Sequence, residues 1–155
     1  MLFRSWTGAA GDAASARDQY AALLPVRERA LGAEHPDTLT ARDNLAYYTG
    51  MAGDPAGARD ELAALLPVRE RVCGAEHPDT LAARDNLAYY TGVAGDALGA
   101  REQYAALVPV SERVLGAGHP DTLSARVGLA HWTRLAQDNN PQRESQPESG
   151  TGKRA

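Results

Sequence analysis

Apolar residues along this chain fall into two kinds of stretch, both with helical spacing. Within 54–73, Ala58, Leu62, Leu65 and Val72 follow at intervals of four, three and seven, which puts them on one stripe of an α-helix. The other kind of stretch begins at Pro36 and turns Leu39, Leu45 and Ala46 inward. Both kinds recur. Residues 32–73 and 74–115 are identical at 32 of 42 positions. The segment HPDTLTARDNLAYYTGMAGD, His35 to Asp54, returns at His77 to Asp96 and, weakened, from His119 onward. A fixed period of this length marks a repeat array, in which each unit packs only on its neighbours.

The residues between stretches predict where helices start and stop. Gly11-Asp12, Gly53-Asp54 and Gly95-Asp96 open the longer helices, with aspartate as N-cap favoured by the helix dipole. Gly32, Gly74 and Gly116 fall where a left-handed C-terminal cap is wanted. Pro25, Pro67 and Pro109 lie well inside these helices and predict a kink or a break into two segments. Pro36, Pro78 and Pro120 suit the first position of the other helices, with Asp37, Asp79 and Asp121 in the first turn and Gly50 and Gly53 ending the element. The last such helix runs from Pro120 to about Ala136. The organisation expected is an array over 1–137, with a half repeat at 1–31, repeats at 32–73 and 74–115, and a final helix in 116–137. Residues 138–155 offer nothing to bury and are expected to form a disordered tail. At the other end, Leu2, Phe3 and Trp6 form an apolar edge that calls for an upstream segment or a covering partner.

Charge and composition narrow the classes. The net charge is −4 and lysine occurs once, at Lys153, so no basic face for nucleic acid is expected. The Ala-, Gly- and Arg-rich usage reads as a bacterial coding habit. Cys73 stands where the other repeats have Leu31 and Leu115 and is expected to be a buried apolar residue. No apolar run matches a signal peptide core or a membrane span, which predicts a cytoplasmic location.

In register, Leu45-Ala46, Gly53-Asp54, Ala58, Leu62 and Leu65-Leu66, with Tyr20 and Tyr104 at the Leu62 position, resemble the tetratricopeptide repeat pattern. The 42-residue length and the HPDTL join are similar to kinesin light chain repeats and to bacterial proteins carrying the same variant. The resemblance implies an all-α, right-handed α-solenoid of antiparallel helix pairs. It also implies a non-enzymatic scaffold or adaptor that binds a peptide or protein segment in a concave groove lined by the first helix of each pair. No phosphate-binding loop of a signalling nucleotidase accompanies the repeats.

The positions expected to line that groove are Thr40, Asp43, Asn44 and Tyr47, then Ala82, Asp85, Asn86 and Tyr89, with Ser124, Val127, Gly128 and His131 departing from the pattern. An asparagine amide offers donors and an acceptor to an extended backbone, and tyrosine adds apolar contact with a polar tip. Gly128 in place of asparagine predicts a groove that weakens toward the C-terminus. Arg42, Arg84 and Arg126 are expected to pack their stems between helices and pair with a carboxylate. His35, His77 and His119 are read as helix-entry residues and not as metal ligands, since each belongs to a different repeat. No catalytic residue, metal or cofactor is expected. The alternative function is a piece of a longer array, such as that of a signalling nucleotidase, that stacks or self-associates through Leu2, Phe3 and Trp6.

Overall fold

A computed structural model describes residues 6–139, with side chains from residue 11 onward. The described residues form six helices: α1 (Trp6–Leu31), α2 (Pro36–Met51), α3 (Pro55–Cys73), α4 (Pro78–Val93), α5 (Ala97–Leu115) and α6 (Pro120–Asp138). Each packs on the next, giving the all-α solenoid of antiparallel pairs expected from the repeat. The Leu2–Phe3 edge, the Trp6 side chain and the tail beyond 139 lie outside the described residues.

The helix entries follow the expected chemistry. His35, His77 and His119 are N-caps whose Nδ1 accepts the amide of the aspartate two residues on, at 3.1, 3.2 and 3.1 Å. Asp54 and Asp96 cap α3 and α5 by accepting from Gly57 and Gly99 amides, each at 2.8 Å. Asp12 does not cap a helix. Gly11 and Asp12 lie inside α1, which runs without a turn, because Ala9 and Ala10 are strong helix formers and Gly11 takes no positive φ. The prolines bring a second correction. Helices α1, α3 and α5 continue unbroken through Pro25, Pro67 and Pro109. A proline deletes one amide donor, and the flanking turns carry the helix past it.

The exits differ in detail from the expectation. Gly74 and Gly116 end their helices with φ near +100° but ψ of 147° and 152°. That region is open essentially to glycine alone, and it lies outside the left-handed helical well predicted for them. Gly50 stands in the last turn of α2, which ends at Met51, and Gly53 follows with a φ of +112°; a Cβ at Gly50 would press into the Tyr90 ring. Gly92 stands in the same relation to Trp132. Each glycine is therefore a slot for an aromatic ring from the next repeat, and the Tyr90 hydroxyl extends the hold by donating to the Tyr47 carbonyl at 2.7 Å.

The core follows the two stripes. Alanines sit where helices cross, with Ala46, Ala58, Ala88 and Ala100 at 0–1% exposure, and Leu62, Leu65, Tyr104 and Leu107 fill the spaces between. Val72 does not join the stripe and is exposed; Arg69 takes the inward place instead, at 1% exposure. Cys73 is only partly buried. The expected carboxylate partners are present, with Arg42, Arg84 and Arg126 pairing Glu28, Glu70 and Glu112 of the preceding helix at 2.6, 2.6 and 2.5 Å, but the arginine side chains stay 30–46% exposed at the surface.

Candidate binding groove

Curvature follows from which helices meet. α2 touches α4 and α4 touches α6, whereas α1, α3 and α5 touch only their sequence neighbours among the described residues. A stack with one layer in contact and the other splayed bends toward the closer layer, so α2, α4 and α6 form its inner side. The splay opens apolar recesses on the outer side, such as one of about 330 Å³ lined by Leu24, Leu45, Leu65 and Val68. The predicted residues lie elsewhere, on the inner helices.

The structure engages those residues unequally. Asp43 pairs with the buried guanidinium of Arg69, which also lies 3.5 Å from the Thr40 hydroxyl and 3.9 Å from Asp79. Asn44 donates to the Tyr20 hydroxyl of α1 at 3.3 Å. Tyr47 is edge-on to both Tyr48 and Tyr90, and burial raises its hydroxyl pKa. Asn44 and Tyr47 thus reach the neighbouring repeats, and Asp43 is tied to the second helix of its own pair.

The second repeat is more open. Asn86 matches Asn44, but Leu62 stands where Tyr20 stood, and the Asn86 amide has no hydrogen bond to the described residues. Tyr89 is 43% exposed and rests edge-on against Tyr90. Asp85 has lost its arginine, because position 111, in register with Arg69, is a serine. Its Oδ1 is buried without a hydrogen bond. Burial, with a further push from Asp121 and opposed by Ser124, raises the Asp85 carboxyl to about 6. Asp43 is also raised to about 6, by burial against the pull of Arg69.

In the third repeat His131 is exposed and edge-on to Trp132 at 4.7 Å. Gly128 has a packing cause, since a Cβ there would lie 2.5 Å from the Tyr104 ring. In this register the asparagine bonds to Tyr20, makes no hydrogen bond among the described residues where the counterpart is Leu62, and is replaced by glycine beside Tyr104. Arg69, Asp79, Ser111 and Asp121 were not among the predicted site residues. The available signal was a charged residue, Arg69, four positions beyond Leu65 on an apolar stripe.

No helix among the described residues is long and apolar enough to cross a membrane. Comparison with known proteins agrees with the architecture. A crystal structure of a candidate kinesin light chain from Podosopora anserina, with nearly identical TPR-like repeats, superposes with a TM-score of 0.73 at 21% identity, covering 89% of this chain and 71% of that one. A single-substitution variant of that Podosopora anserina protein gives 0.67 at 22% identity, covering 86% and 63%. These likenesses carry the fold alone. No curated protein matches the sequence. The tetratricopeptide repeat profile matches residues 6–37, 38–79 and 80–121, one match for each turn of the solenoid. With more than half its length so matched, the chain belongs to the tetratricopeptide repeat family.

Proposed function

We propose that the chain is a non-enzymatic adaptor whose inner face, along α2, α4 and α6, holds an extended peptide or protein segment of a partner. Tetratricopeptide repeats mediate protein–protein interaction, and the observation that carries the reading here is the unbonded Asn86 amide beside exposed Tyr89. A carboxamide with free donors and acceptor satisfies a peptide backbone, and the ring adds rigid contact at small entropic cost. Tyr47 and His131 extend the surface on either side. Asp43 and Asn44 serve mainly to fix the helices on which it is built.

The test is capture from lysate with the purified chain and its variants. Asn86→Ala with Tyr89→Ala is expected to lose a partner that the parent retains, while Arg59→Ala, at the outer helix α3, keeps it. Equal capture by all would place the binding site off the groove. Circular dichroism establishes that each variant stays helical.

A second reading, in which the repeats stack on further repeats or a second copy, draws on Leu123. It is 47% exposed on α6, whereas its counterparts Leu39 and Leu81 are buried at 0% and 2%. Against it, the residues that grip a following repeat are altered on α6 and its entry. Glu34 and Glu76, which receive Arg71 and Arg113, become Gly118, and the ring slot of Gly50 and Gly92 becomes Arg134. Light scattering that gives a dimer mass at working concentration would favour stacking.

A further inference from the structure

The junction of α2, α3 and α4 has a counterpart 42 residues on, at α4, α5 and α6. At the first junction, Arg69 reaches from α3 to the inner layer and sets its guanidinium among Asp43, Asp79 and Thr40. The second junction keeps both carboxylates, as Asp85 and Asp121, and has a hydroxyl at Ser124, but Ser111 replaces the arginine. Serine ends at its Oγ, and no hydrogen bond joins it to either carboxylate among the described residues. Asp85 accordingly keeps a buried Oδ1 without a hydrogen bond, and no ion pair involving it exists among the described residues.

We infer that Asp85 and Asp121 form a receptor for an arginine side chain carried by the partner segment, which supplies in trans what Arg69 supplies within the chain. The inference rests on the groove reading above. A buried carboxylate without a counter-charge is costly, and a cation with donors relieves that cost. Arginine fits better than lysine because the two acceptors lie on different helices, α4 and α6, and a planar fork can address both. The first junction displays that arrangement with the same residue types. Entry is from the inner side, where Ala82, Asp121 and Ser124 are exposed. Asn86 and Tyr89 lie beside the opening, one residue and one turn along α4, placed to hold the backbone from which the arginine projects.

The probe is an acetylated, amidated Ala-Ala-Arg-Ala-Ala peptide, with lysine and citrulline versions, titrated into the whole chain and followed by amide chemical shifts. The arginine peptide is expected to move the signals of Asp85, Asp121 and Ser124 saturably, with affinity about tenfold above the lysine peptide, and the uncharged citrulline peptide to leave them still. Ser111→Arg, which fills the receptor from within, is expected to abolish these shifts and keep full helicity. Asp85→Asn gives an independent loss should Ser111→Arg fold poorly. Absence of shifts at those residues at millimolar peptide, or equal shifts in Asp85→Asn, overturns the inference. The two readings fail separately. A partner captured by the parent, lost by Asn86→Ala with Tyr89→Ala, and retained by both Asp85→Asn and Ser111→Arg would leave the groove and remove the arginine receptor.

Discussion

At the scale of single residues, space and charge decide more than exposure does. Gly92 and Gly11 are both helical glycines, yet a Cβ would press into the Trp132 ring at the first and meet nothing within 4 Å among the described residues at the second. Gly92→Ala is expected to destabilise by about 1–3 kcal/mol through overpacking, and Gly11→Ala to stabilise by about 0.5–1 kcal/mol through helix propensity. Urea unfolding of the two variants checks the opposite signs. Asp85 makes a different prediction. Its carboxyl titrates near 6 when folded, against about 3.9 in an unfolded chain. Between those values the folded state holds the more proton, so this group's contribution is largest below about pH 4, declines as pH rises toward 6, and is level above. Asp85→Asn should remove that decline, gaining up to about 3 kcal/mol over the parent between pH 4 and 7, with Asn-minus-parent differences in urea midpoint as the readout. A constant difference across that range would show that Asp85 is not held protonated by burial.

At the scale of helices, the boundaries were legible because punctuation repeats with them. Pro36, Pro78 and Pro120 start helices, and Gly32, Gly74 and Gly116 follow the longer ones in both sequence and structure. Gly11-Asp12 misled, because the same dipeptide turns the chain at 53–54 and 95–96 but here sits within α1. The site was legible only in part. Asn44 and Asn86 read alike because they share one register, and the internal use of Asn44 depends on Tyr20, 24 residues earlier on another helix. The role of Arg69 was hard to read for a related reason. A charged residue on a stripe reads as solvated until Asp43 and Asp79, from two other helices, are seen beside it. Arg69→Ala leaves Asp43 buried without its counter-charge and is expected to cost about 3–5 kcal/mol, measured by urea unfolding; a cost below about 1 kcal/mol would mean that water replaces the guanidinium. Helix position also grades the leucines. Leu81→Ala, between packed helices, should cost about 2–5 kcal/mol, and Leu123→Ala, at the same register on α6, within about 0.5 kcal/mol.

At the scale of the whole molecule, stability is a sum over neighbouring turns, and the junctions are not alike. The first is tied by a buried ion pair and by Tyr90 in its glycine slot, and the second by Trp132 in its slot but with Asp85 unpaired. The two junctions are thus held by different means, an ion pair and a tyrosine at the first and a larger apolar cluster around Trp132 at the second. The glycine slots have an optical consequence as well. Trp132 is 6% exposed, its ring against Gly92 of the previous turn and within the apolar cluster of α4, α5 and α6, so its emission reports whether α6 remains joined to the turn before it. With Trp6→Phe as background, a shift of Trp132 emission to the red before helicity is lost would reveal opening from that end. The ring that locks one turn to the next thus doubles as a built-in gauge of the order in which the turns come apart.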